Sequence, residues 1–338
     1  MMPVSDTSVG YVTITVIQYG LLSPNRKTFM QNIYEAQASN KRKSALILVL
    51  FLLFTALVIY VLSQAFVVYL GYEPGGLGFV GLALIISGLM SFGSYWYSDK
   101  IVLTISGARP AKRETEFNFY TAAENLSIAA GIPKPKLYVI EDSAPNAFAT
   151  GRDPEHAVVC ATSGLLQKLN RTELESVIAH ELSHIKNYDI RLMTIVTVLV
   201  GTIALLADWF FRIGWHSRGG RDRDRGQIGA IFLVLGIIFA ILSPFIAQLI
   251  QLAISRRREF TADAGSVAIT RQPTGLIAAL EKISEDHEAL EAANKATAHL
   301  YIVNPFKDKI KGGIGLFSNL FNTHPPLGER IKILRQMS

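Results

Sequence analysis

Long runs without charge constrain this chain more than any other feature. Ser44 to Tyr72 holds no Lys, Arg, Asp or Glu and is rich in Leu, Val, Ile and Phe. Leu77 to Ser98 is a second such run, Leu192 to Ala207 a shorter third, and Gly226 to Ser255 a long fourth. About 20 consecutive apolar residues wound as a helix match the hydrocarbon thickness of a bilayer. Such a helix also satisfies its own backbone polar groups there. The first two runs therefore read as transmembrane helices joined by the turn Glu73-Pro74-Gly75-Gly76. Gly78, Gly81, Gly88 and Gly93 allow close helix contact in the second.

Charge sets the orientation. Arg26, Lys27, Lys41, Arg42 and Lys43 precede the first run, Lys100, Arg109, Lys112 and Arg113 follow the second, and the turn between them has no Lys or Arg. Basic flanks stay in the cytoplasm, so both outer ends are expected there. The third and fourth runs read as a second membrane hairpin. Its connecting loop carries Arg212, Arg218, Arg221, Arg223 and Arg225 against Asp222 and Asp224. Two complete crossings would put those arginines outside, against the same rule. Either the aspartates and the strong flanking runs override it, or this hairpin is embedded without crossing.

The resulting expectation is a mainly α membrane protein with about four transmembrane or membrane-embedded helices. An α+β cytoplasmic domain is split by the second hairpin. The divisions are a segment 1–43, hairpin 44–98, a first soluble part 99–190, hairpin 191–255 and a second soluble part 256–338. Val9 to Leu22 is apolar with Thr13 and Thr15 alternating, a strand or an interfacial segment. It lacks a basic leader and a small-residue cleavage site, and is too short to span easily. In the soluble part, Glu114 to Ala130 reads as a helix closed by Gly131, and Lys136 to Glu141 as a strand. Asn146 to Gly151 and His156 to Thr162 read as a hairpin. Thr274 to Leu290 reads as an amphipathic helix, and a last helix starts at Pro326 with Ile331 and Leu334 facing inward.

Half the residues are apolar and the net charge is +6. The positive charge sits beside the apolar runs, and no aromatic-basic interleaving offers a base-stacking surface. Membrane flanks fit this pattern, and nucleic acid does not. Cys160, the only cysteine, excludes intrachain disulfides and lies in an apolar run that suits core packing.

The chemistry is concentrated in Ala179-His180-Glu181-Leu182-Ser183-His184-Ile185. On a helix, His180 and His184 share a face one turn apart and can hold two corners of a tetrahedral zinc site. Glu181 is placed to take a proton from a water on the metal. Asn170 with Glu173, and Thr172 with Glu175, offer overlapping capping signals at the start of this helix. Leu174, Val177, Ile178, Leu182 and Ile185 supply its apolar side. A third ligand is available from Arg258-Glu259-Phe260-Thr261-Ala262-Asp263, where Glu259 and Asp263 share a helical face. One of them can bind metal while the other orients a ligand histidine; by spacing alone, a solvated acidic pair is equally open.

These motifs resemble the HtpX-type integral-membrane zinc endopeptidases, relatives of the Ste-type CAAX prenyl proteases. The resemblance runs from about residue 40 to the end. It is carried by His180 to Asn187 with Asp189 following, Glu259 to Asp263, Asn146-Ala147-Phe148-Ala149, and His324-Pro325 with Arg330. It implies one zinc ion per chain on His180, His184 and Glu259, with Glu181 as general base and Asp263 as the partner of a ligand histidine. Asp189 is a further candidate partner. A donor to the developing oxyanion is needed. His324 is the candidate, against a plain helix-start residue, with Arg330 as a supporting charge or substrate anchor. Asn146, Ala147, Phe148 and Ala149 read either as an edge strand that accepts an extended peptide or as a plain hairpin strand. His156, His216, His287 and His299 read as surface or packing residues.

The implied activity is hydrolysis of protein substrates at the cytoplasmic face of the cell membrane, with quality control of misfolded membrane proteins as the implied role. A narrow processing protease is the alternative within enzymes. A polytopic transporter or a metal-stabilised scaffold are the alternatives outside. The former lacks the ionisable groups expected within its spans, and the latter has no need of Glu181.

Overall fold

The computed structural model describes residues 33–69, 78–198, 256–286, 288, 290, 291, 297, 300–302 and 325–337. Two long helices open it, α1 (Ile33–Tyr69) and α2 (Gly78–Trp96), packed against each other and followed by α3 (Ser98–Ile105). Helix α1 begins at Ile33, upstream of the uncharged run that starts at Ser44. Large apolar side chains on both helices face outward, among them Leu46 at 60% and Leu89 at 69% exposure. The sequence places two membrane spans here. Among the described residues, no helix is long and apolar enough to cross a membrane.

The soluble part is built on a small mixed sheet of β1 (Arg109–Pro110), β2 (Lys136–Ile140), β3 (Ala147–Gly151) and β4 (Ala157–Thr162). The strand order is β1-β2-β4-β3. Strands β2 and β4 run parallel, whereas β1 and β3 pair antiparallel with their neighbours. The expected hairpin of β3 and β4 forms in a register that sets Phe148 against Cys160 and Ala149 against Val159. Asp153 turns it by accepting from the His156 N–H at 2.8 Å.

Every residue of β3 and β4 is buried, because both faces of the sheet are covered. The two-residue period sorts the side chains. Ala147, Ala149, Val159 and Ala161 face a core shared with α4 (Phe117–Ala130), α5 (Ser163–Lys168) and α6 (Arg171–Lys186). Phe148, Val158 and Cys160 face a second cluster with Val102, Leu103, Met193 and Tyr301. Cys160 is packing material, as its setting in the sequence suggests, and burial raises its thiol pKa far above the usual range. Helix α4 ends at Gly131, whose φ of 69° is the left-handed cap that glycine takes most cheaply.

Helix α6 is the spine of the domain. Leu174, Val177, Ile178, Leu182 and Ile185 are all buried. Each such side chain contributes about 1.5–3 kcal/mol relative to exposure. Three later helices close over it: α7 (Arg256–Thr270), α8 (Pro273–Glu285) and α9 (Leu327–Arg335). Of the overlapping capping signals, the structure uses Asn170 with Glu173. The Glu173 N–H donates to the Asn170 side chain at 3.0 Å and the Asn170 N–H to the Glu173 carboxylate at 2.8 Å.

Several sequence expectations fall outside the described residues. They are the segment 9–22, the turn 73–76, the second hairpin beyond residue 198 with its loop arginines, and His324. His216, His287 and His299 belong to the same group.

Candidate metal centre

Helices α6 and α7 meet at very close range, and small residues make that possible. A side chain at Gly265 would place its Cβ 2.1 Å from Ser183 Oγ. This approach brings the Glu259 carboxylate over the two histidines of α6. The Nε2 atoms of His180 and His184 lie 3.2 Å apart. Glu259 Oε2 is 3.8 Å from His180 Nε2, and Oε1 is 3.6 Å from His184 Nε2. His180, His184 and Glu259 are all buried, and one ligand atom from each lies within 4.8 Å of the others. Tetrahedral zinc with bonds near 2.0–2.2 Å spaces its ligand atoms about 3.3–3.6 Å apart. The triangle fits that spacing.

The outer faces of the imidazoles show the same preparation. His180 Nδ1 is 3.0 Å from Asp263 Oδ1, and His184 Nδ1 is 3.0 Å from Asp189 Oδ2. A carboxylate behind Nδ1 draws the ring proton to that side and leaves the Nε2 lone pair facing inward, as a metal requires. The donor set therefore suits zinc on residues of this chain alone. Glu259 and Asp263, one turn apart, divide their work as the shared helical face allows. Glu259 faces the histidine Nε2 atoms, while Asp263 backs His180.

Asp263 is held from behind by Arg330 of α9. The guanidinium Nε donates to Asp263 Oδ2 at 2.9 Å and Nη2 to Oδ1 at 2.6 Å. Nη1 donates to the Ile302 carbonyl at 3.3 Å and lies 3.6 Å from Glu259 Oε2. Arg330 is 0% exposed, so its charge serves these buried carboxylates and does not reach solvent. Burial disfavours the Asp263 carboxylate, but Arg330 and His180 outweigh it and hold the group below its ordinary pKa.

The remaining titratable groups divide sharply. Burial lowers the pKa of His180 despite Asp263 beside it. Burial acts on His184 too, but Asp189, Glu259 and Glu181 together raise its pKa to about 9 in the metal-free fold. Glu181 is raised to about 7, chiefly by burial and then by Glu259, with His184 and Arg330 opposing and the Ala149 N–H donating to its carboxylate. A carboxylate poised near neutrality is the form that takes and returns a proton most efficiently.

The expected substrate strand β3 is an edge of the sheet. Its Asn146 carbonyl accepts from Thr162 of β4 at 3.0 Å, so the outward main-chain groups belong to Ala147, Ala149 and Gly151. Ala149 touches Glu181, and the Ala147 carbonyl accepts from the Ile302 N–H at 3.0 Å. The catalytic candidate and the edge strand therefore touch. A cavity of about 520 Å³ lies elsewhere, lined by Pro133, Asp153, Pro154, Lys186 and Tyr188 among others, and by none of the three ligand candidates.

Two participants escape sequence reasoning. Arg258 Nε sits 3.6 Å from Asp189 Oδ1, and Asn40 of α1 donates to Asp189 Oδ1 at 2.7 Å. Arg258 adjoins Glu259 and had a local signal. Asn40 lies 149 positions from Asp189 and carries no motif.

A buried two-histidine, one-carboxylate centre beside an edge strand is an arrangement suited to a metallopeptidase. The model of peptidase family M48 matches residues 116–338. A "Protease HtpX homolog" of Caldanaerobacter subterraneus subsp. tengcongensis is 44% identical over 310 residues, which is 91% of this chain and 99% of the relative. One of Dictyoglomus thermophilum is 47% identical over 304 residues, covering 90% and 94%. The crystal structure of S. mikatae Ste24p is similar at 17% identity and a TM-score of 0.46, over 88% of this chain and 66% of that one. The chain belongs to peptidase family M48, among its HtpX-type members.

Proposed function

We propose that this chain is a membrane-associated zinc endopeptidase that hydrolyses protein substrates at the cytoplasmic face of the cell membrane. The observation that carries the reading is the joint placement of His180, His184 and Glu259 around one point, with Glu181 beside it and in contact with strand β3. His180, His184 and Glu259 hold one zinc ion. When bound, zinc supplies Lewis acidity that polarises a peptide carbonyl and eases deprotonation of water. Glu181 accepts the proton of the attacking water and delivers it to the leaving amine. Asp263 and Asp189 hold the ligand histidines in orientation, and Arg330 keeps Asp263 charged.

The substrate enters as an extended strand along Asn146, Ala147, Phe148 and Ala149, and replaces the bonds that the outward groups of β3 make to Glu181 and Ile302. His324 donates to the developing oxyanion. The membrane placement rests on the uncharged runs and on their basic flanks. It is supported by the outward apolar faces of α1 and α2. The names of the relatives support the protease reading. The substrates in this reading are misfolded membrane proteins.

The test is cleavage of an unfolded model protein by the detergent-purified chain with zinc, with chelator, and with Glu181→Gln. Zinc-dependent cutting that disappears in the variant is the expected result. Cutting that survives Glu181→Gln would sink the mechanism.

A further inference from the structure

Helix α1 does more than carry an apolar face. Asn40, Ser44 and Ile47 recur at helical spacing and are buried, while Leu46, Val49, Leu50 and Leu53 face outward. The Asn40 amide nitrogen makes two bonds, to the Asn187 carbonyl at 3.0 Å and to Asp189 Oδ1 at 2.7 Å. Both partners are acceptors only, so the NH2 end of the amide must face them and both of its hydrogens are used. Asn187 is the residue that ends α6, and its carbonyl has no partner within the helix. Tyr188 then takes a left-handed φ of 58° and swings the chain back, bringing Asp189 beneath His184. Lys41, next to Asn40, lies over the Tyr188 ring at 4.1 Å.

We propose that Asn40 is a positioning residue of the metal centre, which ties helix α1 to the ligand His184 through Asp189. The inference rests on His184 being a zinc ligand, as argued above. The two oxygens of Asp189 divide the work: Oδ2 meets His184 Nδ1 and Oδ1 receives Asn40. A carboxylate anchored at one oxygen cannot swivel at the other. The imidazole is thereby fixed in rotation, and its Nε2 lone pair stays aimed at the metal. Asn40 also bonds the residue that leads into the reversal, so one side chain sets both the path of the turn and the angle of the carboxylate. Few other residues can do this. Aspartate would offer no donor and would set a second negative charge against Asp189, while alanine would leave a buried carboxylate oxygen and a buried carbonyl each short of a donor. The helix that presents the outward apolar face is in this way part of the metal centre's framework. Its seating and the alignment of His184 are one structural event.

The experiment measures zinc affinity of the full-length, detergent-purified chain by competition with a chromophoric chelator, together with the visible spectrum of the cobalt-substituted protein. Asn40→Ala is expected to weaken zinc binding about tenfold, the lower end for partners behind a ligand histidine. Asn40→Asp is expected to weaken it more, and both should shift the cobalt ligand-field bands. Lys41→Ala removes the neighbouring docking contact without touching Asp189, and should bind zinc within about twofold of wild type. In an Asp189→Ala background, Asn40→Ala should have no further effect, because its route to the metal is gone. Zinc affinity within about twofold of wild type in both Asn40 variants would overturn the proposal. So would an Asn40→Ala effect that persists in full without Asp189. If His184→Ala loses zinc while the Asn40 variants do not, the metal assignment stands and the role of Asn40 falls. A wild type that binds no zinc overturns both.

Discussion

The α6–α7 core and the α1–α2 hairpin treat the same residue types in opposite ways. Leu182 and Ile185 of α6 are wholly buried, whereas Leu46 and Leu89 of the hairpin are mostly exposed. Around α6 the apolar surface is consumed by protein, and the buried charges that remain are matched carboxylate to cation, as Asp263 is to Arg330. In the hairpin the apolar surface is left over. In the proposed membrane reading, the two regions face different solvents. The core is arranged to exclude water around a charged centre, while the hairpin offers a surface stable only against something as apolar as itself. Asn40 stands where the two meet.

The sharpest way to break this comparison is to remove the base from the core without altering its packing. Glu181→Gln is expected to lower cleavage about 10²–10⁴-fold, the span for general acid–base groups, while zinc binding is retained. Single-turnover proteolysis alongside metal analysis checks both parts.

Next is the buried charge pair. Arg330→Met leaves Asp263 with only His180 beside it in the core, a loss of about 3–5 kcal/mol when one partner of a buried pair is removed. A lowered denaturation midpoint together with weaker zinc binding is expected. An unchanged midpoint would show that Asp263 does not depend on Arg330.

A packing change should have a smaller effect. Gly265→Ala drives a Cβ into Ser183 and forces α7 away from α6. Overpacking of this kind costs about 1–3 kcal/mol. Zinc affinity should fall as Glu259 moves off the histidines, and Ser183→Gly in the same chain should restore part of it.

The core should also answer to pH where the hairpin does not. His184 has a pKa of 6.5 when unperturbed and about 9 in the metal-free fold. Because the folded value is the higher one, its contribution to stability is complete below the unperturbed value and is lost as pH rises through the folded one. Metal-free protein should therefore melt progressively lower between pH 6.5 and about 9. With zinc bound, the metal replaces that proton, and the slope should flatten. Thermal unfolding with and without chelator across this range reads the difference.

The smallest effect on the metal centre is expected from the hairpin's outer face. Leu50→Lys with Leu89→Lys should weaken association with lipid vesicles, since each charge opposes burial in hydrocarbon. Zinc affinity should stay within about twofold of the parent chain. Intact vesicle association in the double variant would remove the hairpin's outer face from the membrane reading.

Much of this molecule is legible in the linear chain because its signals are local. The cap at Asn170, the period of α6, the four-residue spacing of His180 to His184 and of Glu259 to Asp263, and the glycine end of α4 each lie within about one or two helical turns. So does the hairpin of β3 and β4, whose register follows from its turn and its alternation. What spacing left open was how Glu259 and Asp263 divide their tasks. The distances put Glu259 toward the histidine Nε2 atoms and Asp263 between His180 and Arg330. Arg330 reads as a supporting charge or substrate anchor in sequence, because nothing local announces that an arginine three residues past a helix start is wholly buried. Asn40 and the close approach at Gly265 are likewise invisible. Local chemistry, set by neighbours along the chain, was determined by the sequence alone. How Glu259 sits over the histidine Nε2 atoms, which charge stands behind Asp263 and which helix reaches Asp189 are visible only in the tertiary structure. These are relations between segments that no spacing rule connects.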